Sequence, residues 1–505
     1  IYSADKPQIV YDQKYWWGDN WDPFAFGRDY DFSRPFFAQW KEFRDHFPMM
    51  SVSNSKAVNS DYCNVAEESK DSYLCSACWK IENVLYSNRL NQVKNSMDVY
   101  VVHRSEFCYD DILCTDSYKL FYSKNCNSCT DSYFLYDCRG CNNCFMSSNL
   151  RGQSYYFFNQ PLSKEEYLEK LSQIELGSFQ KITELKKLRK EMMLRSIHKY
   201  ANILKCVNVT GNNLENAKNC HYCFDVTEDV EDCKYMHWGG IHTKDSYDCG
   251  PGVGLGELMY DTFDTGIQAS RNLFTSVVYN SCNVEYSFNC YGCSDCFACL
   301  GLRNKQYCIF NKEYTKESFD ELRTKIIKHM DDMPFIDKGG RTYGYGGFFP
   351  IEVSPFCYNE TVAQDYYPLT KDEAMSAGYS WKDKEERHYA ITMNNSDIPD
   401  NIALVDESIK DQVIACAHGG TCNDRCTTAF RIVADEYSFY KRFNIPLPRL
   451  CFGCRHGERL SEKHPMKLWT RQCMHEGCSH AFETPFSPDR KEIVYCEECY
   501  NKEVL

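Results

Sequence analysis

Four cysteines near the C-terminus, Cys473-x4-Cys478 and Cys496-x2-Cys499, are spaced as the two knuckles of a zinc ribbon. Four thiolates at ~2.3 Å close a tetrahedron around Zn2+ and leave no position for a substrate, so the chemistry they predict is structural. A second set lies just upstream. Cys451-x2-Cys454 supplies one knuckle, and the other comes from Cys416, His418, Cys422 and Cys426. Cys422-x3-Cys426 has the better knuckle spacing, and Cys416 with His418 is the alternative. Two structural zinc ions are therefore expected, one on Cys473, Cys478, Cys496 and Cys499, the other on Cys422, Cys426, Cys451 and Cys454. His475-Glu476 does not make a metalloprotease helix, because His480 follows five residues after His475 instead of four.

The last ribbon has a copy at the start of the chain. Phe486-Ser-Pro-Asp489 through Ile493-Val-Tyr495-Cys496 and Cys499-Tyr500 aligns without a gap with Tyr2-Ser-Ala-Asp5 through Ile9-Val-Tyr11-Asp12 and Tyr15-Trp16, at a constant offset of 484. Asp12 and Tyr15 stand where Cys496 and Cys499 stand, and Asp with Tyr is not half of a zinc site. No metal is expected at the first copy.

The elements that position these knuckles are built from a second repeat. Ten cysteines fall in residues 63–144 and eleven in 206–308. Cys138-Arg-Gly-Cys141-Asn-Asn-Cys144-Phe145 matches Cys290-Tyr-Gly-Cys293-Ser-Asp-Cys296-Phe297, an offset of 152 that continues through Arg151/Arg303 to Tyr167/Phe319. Inside each block an Asp-Ser-Tyr unit recurs at Tyr73, Tyr118, Tyr133 and Tyr247, with turn residues about every ten positions. Short strands between regular turns predict a β-solenoid, with small Cys and Ser inside and Asp and Asn at the corners. Each turn would bury its apolar side only against its neighbours. Cys290-x2-Cys293-x2-Cys296-x2-Cys299 lacks the x3 spacing and the proline of a ferredoxin run, so stacked solenoid cysteines are expected there. Gly250-Pro-Gly252-Val-Gly254-Leu-Gly256 lacks the Lys-Ser/Thr of a phosphate loop and reads as close backbone packing. The aromatic arm from Trp16 to Phe24 is expected to cover the first coil.

The fold class this predicts is mainly β: a duplicated cysteine-rich β-solenoid-like repeat with helical insertions and C-terminal tandem zinc ribbons. The expected domains are a degenerate ribbon and cap over 1–50, repeat block A over 51–160, a helical insertion over 161–203, repeat block B with its closing helix over 204–332, a connector over 333–412, and the ribbons over 413–505. Ser163 and Thr315 are expected N-caps. Helices are predicted near 163–175, 178–200, 315–332 and 435–444, with a short one after the Thr370-Lys-Asp-Glu373 capping box.

The segments Gly301–Cys308, Asn359–Thr370, Arg442–Arg449 and Ser487–Cys496 resemble those of uncharacterised cysteine-rich zinc-ribbon proteins of small-genome candidate-phyla bacteria. The resemblance covers nearly the whole chain. It implies cytoplasmic zinc ribbons flanking a cysteine-rich repeat, and no known activity. Asp12 and Tyr15 depart from the pattern, which puts zinc binding by the first ribbon in doubt.

Charge and composition narrow the function. The 505 residues carry a net charge of −14, which argues against wholesale coating of nucleic acid. No apolar run approaches the ~18 residues of a membrane helix. Frequent Cys-x2-Cys pairs suit metal knuckles or stacked repeats better than a secreted disulfide framework, which points to a reducing cytoplasm. No nucleophile elbow, Walker loop or HExxH is found. The expectation is a non-enzymatic zinc-binding scaffold that binds a protein partner or itself. The alternative is an RNA- or ribosome-associated factor acting through Arg431–Arg471, where nine Lys/Arg face four Asp/Glu. An enzyme of unknown class is third.

Overall fold

The computed structural model describes residues 2, 6–384, 389–422 and 425–505. The chain is strand-rich, and its two largest sheets have eight and nine strands. Among the described residues no helix is long and apolar enough to cross a membrane.

The repeat has a period of three residues nested in a period of twelve. From Cys63 to Ser147 the residues that are buried inside block A fall at every third position: Cys75, Cys78, Ile81, Val84, Ser87, Leu90 and onward. The residue before each of them has a positive φ, as at Asp71, Leu74, Ala77, Lys80 and Asn83. A left-handed residue costs roughly 1–2 kcal/mol without glycine, so something must hold each corner. Both backbone donors around it do. Lys70 N–H donates to Ile81 O at 2.9 Å, and Asp71 N–H donates to Val58 O at 3.0 Å. Strands pair parallel twelve residues apart, as in Ser76↔Asn88 and Asn88↔Tyr100.

Small polar residues suit this interior for a specific reason. The inward residue's own N–H has no sheet partner, and a serine hydroxyl one turn earlier accepts it: Val99 N–H to Ser87 Oγ at 3.1 Å, Cys144 N–H to Ser132 Oγ at 3.0 Å. Inward thiols donate instead to carbonyls, as Cys138 Sγ does to Tyr136 O and Ser147 O at 3.5 and 3.6 Å. At the corners Asn and Asp side chains ladder between turns, as in Asn59 Nδ2 to Asp71 Oδ1 and Asn125 Nδ2 to Asp137 Oδ1. The Asp-Ser-Tyr unit marks a corner, not a turn. Tyr118 and Tyr133 are fifteen residues apart, one turn plus one corner, so the ten-residue spacing expected from it is replaced by twelve. Part of block B runs at thirteen, as in Ala217↔Val230 and Tyr247↔Tyr260, and returns to twelve at Ser270↔Cys282. Gly254 and Gly266 pair in this region, and a Cβ on Gly266 would lie 2.2 Å from Gly254 O.

Helices begin where caps were expected. Ser163 Oγ accepts from Glu166 N–H ahead of Lys164–Ser172, and Thr315 accepts from Ser318 N–H ahead of Lys316–Asp332. Ser178 caps Phe179–Arg195, which ends five residues short of the predicted 200 because the chain turns into the strand Ile197–Lys199. The outer face of block A is covered by Ile182 and Leu185 together with Ile402, Val405, Tyr437 and Tyr440. The last turns of block B are covered by Phe36, Phe37, Trp40 and Phe43 of the helix Phe36–His46, with Phe319 and Ile326. Each cover thus comes largely from outside the block's own sequence.

The two blocks lie side by side with opposite directions. Asn149, late in block A, donates to and accepts from Ile197, ahead of block B. Asn125 accepts from Asn202, and the Arg89 guanidinium lies 4.4 Å from the Trp238 ring centre. At the far end Phe47, ahead of block A, packs against Gly301 late in block B. This direction corrects the placement of the aromatic arm. Trp16 packs with Phe47, Trp17 with Tyr291, and Lys305 over Phe24. The arm therefore covers the last turns of block B, where antiparallel packing brings them beside the chain's start, instead of the first coil of block A.

Candidate metal centres

Two groups of four cysteines bring their sulfurs within 4.8 Å of one another: Cys416, Cys426, Cys451 and Cys454, and Cys473, Cys478, Cys496 and Cys499. Both are assembled alike. One pair sits beside a β-hairpin and the other opens a helix. In the last group Cys473 follows Trp469–Gln472, which pairs antiparallel with Ala481–Thr484, and Gly477 turns at φ +77° before Cys478. Cys496 is the N-cap of Glu497–Val504, and its N–H donates to Cys473 Sγ at 3.3 Å. In the upstream group Cys416 follows Ile414–Ala415, and Cys451 is the N-cap of Phe452–Ser461. Cys451 N–H donates to Cys416 Sγ at 3.3 Å, and Thr428 N–H to Cys426 Sγ at 3.4 Å. Such donors, with the positive end of a helix, favour thiolates.

The sulfur spacing fits a metal. Four sulfurs at ~2.3 Å from zinc define tetrahedral edges of about 3.8 Å. Sulfur separations are 3.8 Å for Cys416–Cys454, 3.9 Å for Cys426–Cys451 and 3.6 Å for Cys451–Cys454. The hydrogen bond between Cys416 and Cys451 lowers the Cys451 thiol and raises that of Cys416. All-sulfur tetrahedral sites suit zinc or iron.

The expected residues fall as follows. Cys473, Cys478, Cys496 and Cys499 come together, as do Cys426, Cys451 and Cys454. The fourth sulfur of the upstream group is that of Cys416, which the spacing held as an alternate. Cys422 lies 3.4 Å from Cys454 Sγ and groups with His418 and Cys454. His475 faces Glu503 at 3.3 Å. Asp12 is an N-cap that accepts from Lys14 N–H, and Tyr15 is exposed. Among the described residues Cys290, Cys293, Cys296 and Cys299 belong to no such group. Their thiols donate to carbonyls of the repeat, and no disulfide joins any cysteine of the described residues.

The centres are tied to both repeat blocks. The helix Phe452–Ser461 runs from Cys451 and Cys454 to the repeats, where Arg455 and Arg459, 7% and 3% exposed, meet Asp98 at 3.0 and 2.9 Å. Buried Glu436 joins this cluster and accepts from the hydroxyls of Tyr86 and Tyr440, both at 2.9 Å. Just beyond, Lys463 pairs with Asp225 of block B at 2.6 Å. Part of the positive excess of Arg431–Arg471 therefore faces the repeat: Arg455, Arg459 and Lys463 are engaged there, while Arg431, Lys441, Arg442 and Lys467 are exposed.

The last ribbon is bound to the junction of the blocks. Ile493–Tyr495 pairs parallel with Ile197–Lys199. The Tyr500 hydroxyl donates to Asp137, and Arg151 bridges both. The first copy repeats this. Val10–Tyr11 pairs parallel with Met49–Met50, and Arg303 donates to Trp16 O with its guanidinium over that ring. Trp16 and Tyr500 are equivalent at offset 484, and Arg303 and Arg151 at offset 152. Sequence reasoning found both offsets and missed that they name one contact made twice.

The chain matches no protein-family model, and no curated protein matches it.

Proposed function

We propose that the protein is a non-enzymatic scaffold whose two repeat blocks are β-solenoids, held in place by structural zinc. The observation that carries this is the pair of closed four-sulfur groups, each at the root of a helix that docks on the repeats. A closed tetrahedron of thiolates offers no position for a substrate, and its position at the seam makes metal binding a condition of docking.

The partner is a protein or a second copy of this chain. Tyr222, Tyr235, Tyr247 and Tyr260 are all exposed on block B, with Tyr247 and Tyr260 in register on adjacent turns. The matching outer face of block A is covered. An uncovered run of large apolar side chains marks an interaction surface.

Elemental analysis of the pure chain tests the metal. At least two zinc ions per chain are expected; less than one, or iron as the dominant metal, ends the reading. Sedimentation of Tyr235→Glu/Tyr247→Glu beside the wild type tests self-association, which the double substitution should weaken.

A further inference from the structure

We infer that the upstream centre holds a second metal ion, on His418, Cys422 and a bridging Cys454. The inference rests on reading that centre as a zinc site. Cys454 Sγ has three sulfur neighbours at distances near a tetrahedral edge. Cys416 and Cys451 lie in the four-sulfur group at 3.8 and 3.6 Å, and Cys422 lies outside it at 3.4 Å. One tetrahedral ion can use two of those neighbours with Cys426 as its fourth ligand, which leaves Cys422 outside that set of four. His418, Cys422 and Cys454 place one ligand atom each within 4.8 Å of one another. His418 Nδ1 is shielded from solvent and has no hydrogen-bond partner. A buried imidazole nitrogen without a partner is costly unless something binds it.

The loop is held in this position. Lys384 Nζ donates to Gly420 O and Cys422 O at 2.6 and 2.8 Å, and Thr421 N–H and Oγ1 both donate to His418 O. Charge also favours two ions. Four thiolates around one dication carry −2, with Cys422 a neutral thiol, whereas five thiolates and a neutral imidazole around two dications carry −1. A thiolate bridging two zinc ions satisfies both. The second ion has three protein ligands, so its fourth position is open to water or to an external thiolate, unlike the closed ions of the other sites.

Native mass spectrometry of the full chain, loaded with zinc and desalted at neutral pH, tests this. Three ions per chain are expected, with Cys422→Ser and His418→Ala each at two. Two ions in the wild type overturn the bridged pair while leaving the two structural sites standing. Three ions unchanged by Cys422→Ser also overturn it, and less than one ion removes the zinc reading itself. Cadmium-113 NMR of the wild type is a readout that needs no variant: three resonances are expected, one upfield with fewer sulfur ligands. Two all-sulfur resonances alone contradict the proposal.

Discussion

The chain contains one strand–cap–helix twice, and the two copies differ in what holds them. At the C-terminus Ile493–Tyr495 leads through Cys496 into Glu497–Val504, around a small apolar cluster of Phe482, Phe486 and Val494 beside four cysteines. At the N-terminus Val10–Tyr11 leads through Asp12 into Gln13–Trp17, with Asp12 and Tyr15 in place of the two cysteines. Its Trp16 is fully buried, 4.7 Å from Trp21 and 6.2 Å from Phe47 between ring centres. Both copies seat a ring and an arginine at a junction between the blocks. At one junction the tie is four cysteines that could hold a metal ion, and at the other it is a packed aromatic cluster. Beside the copy without cysteines, the helix Phe36–His46 adds a buried aromatic face.

The largest expected effect comes from removing the metal tie. Structural zinc contributes apparent binding free energies of about 10–16 kcal/mol in small domains. Cys496→Ser is expected to lose one zinc per chain and make residues 469–505 sensitive to protease, while 54–158 stays resistant. A resistant C-terminus with one zinc fewer would show that the metal does not hold that junction.

Trp16→Ala should cost about 3–5 kcal/mol, the range for a buried aromatic, with zinc content unchanged. Urea unfolding with metal analysis on the same samples checks both. A loss of zinc would mean the two ties are not independent.

Acid should separate the junctions. His198 is buried against Tyr136 and Met193, and burial pushes it down to about 4. A histidine depressed in the folded state is protonated first in the unfolded state, so its burden appears as pH falls from ~6.5 towards 4, reaching about 3 kcal/mol. Its counterpart in the other junction is Met49, which does not titrate. Hydrogen-exchange protection factors at Ile197–Lys199, corrected for the intrinsic rate at each pH, should fall over this window, and His198→Met should flatten the response relative to wild type. An identical profile in that variant would assign the acid effect to the thiolates.

The smallest effect concerns the cap. Asp12→Ala removes an N-cap acceptor from an exposed helix start, at a cost of about 1 kcal/mol. A thermal melt should shift by a few degrees at most. A large drop would mean that Asp12 does more than cap.

The knuckles were legible because a tetrahedral site needs cysteines at fixed short spacing, and Ser163, Thr315 and Thr370 were legible because capping is local. The choice between Cys416 and Cys422 was not, since it depends on how the segment before Cys426 folds back on the helix start. The repeat hid its period. Every corner is equivalent, so Asp-Ser-Tyr recurs at any multiple of three, and Cys-x2-Cys within the blocks is the same triplet seen twice. The burial of Arg455 and Arg459 was not legible either, because their partner Asp98 lies more than three hundred residues away.

Hydrogen exchange on the whole chain, with and without a zinc chelator, tests the central contrast most directly. The account predicts that Ile493–Tyr495 and Ile197–Lys199 lose protection on chelation, while Val10–Tyr11 and Met49–Met50 keep theirs. Loss at both junctions, or at neither, would contradict it.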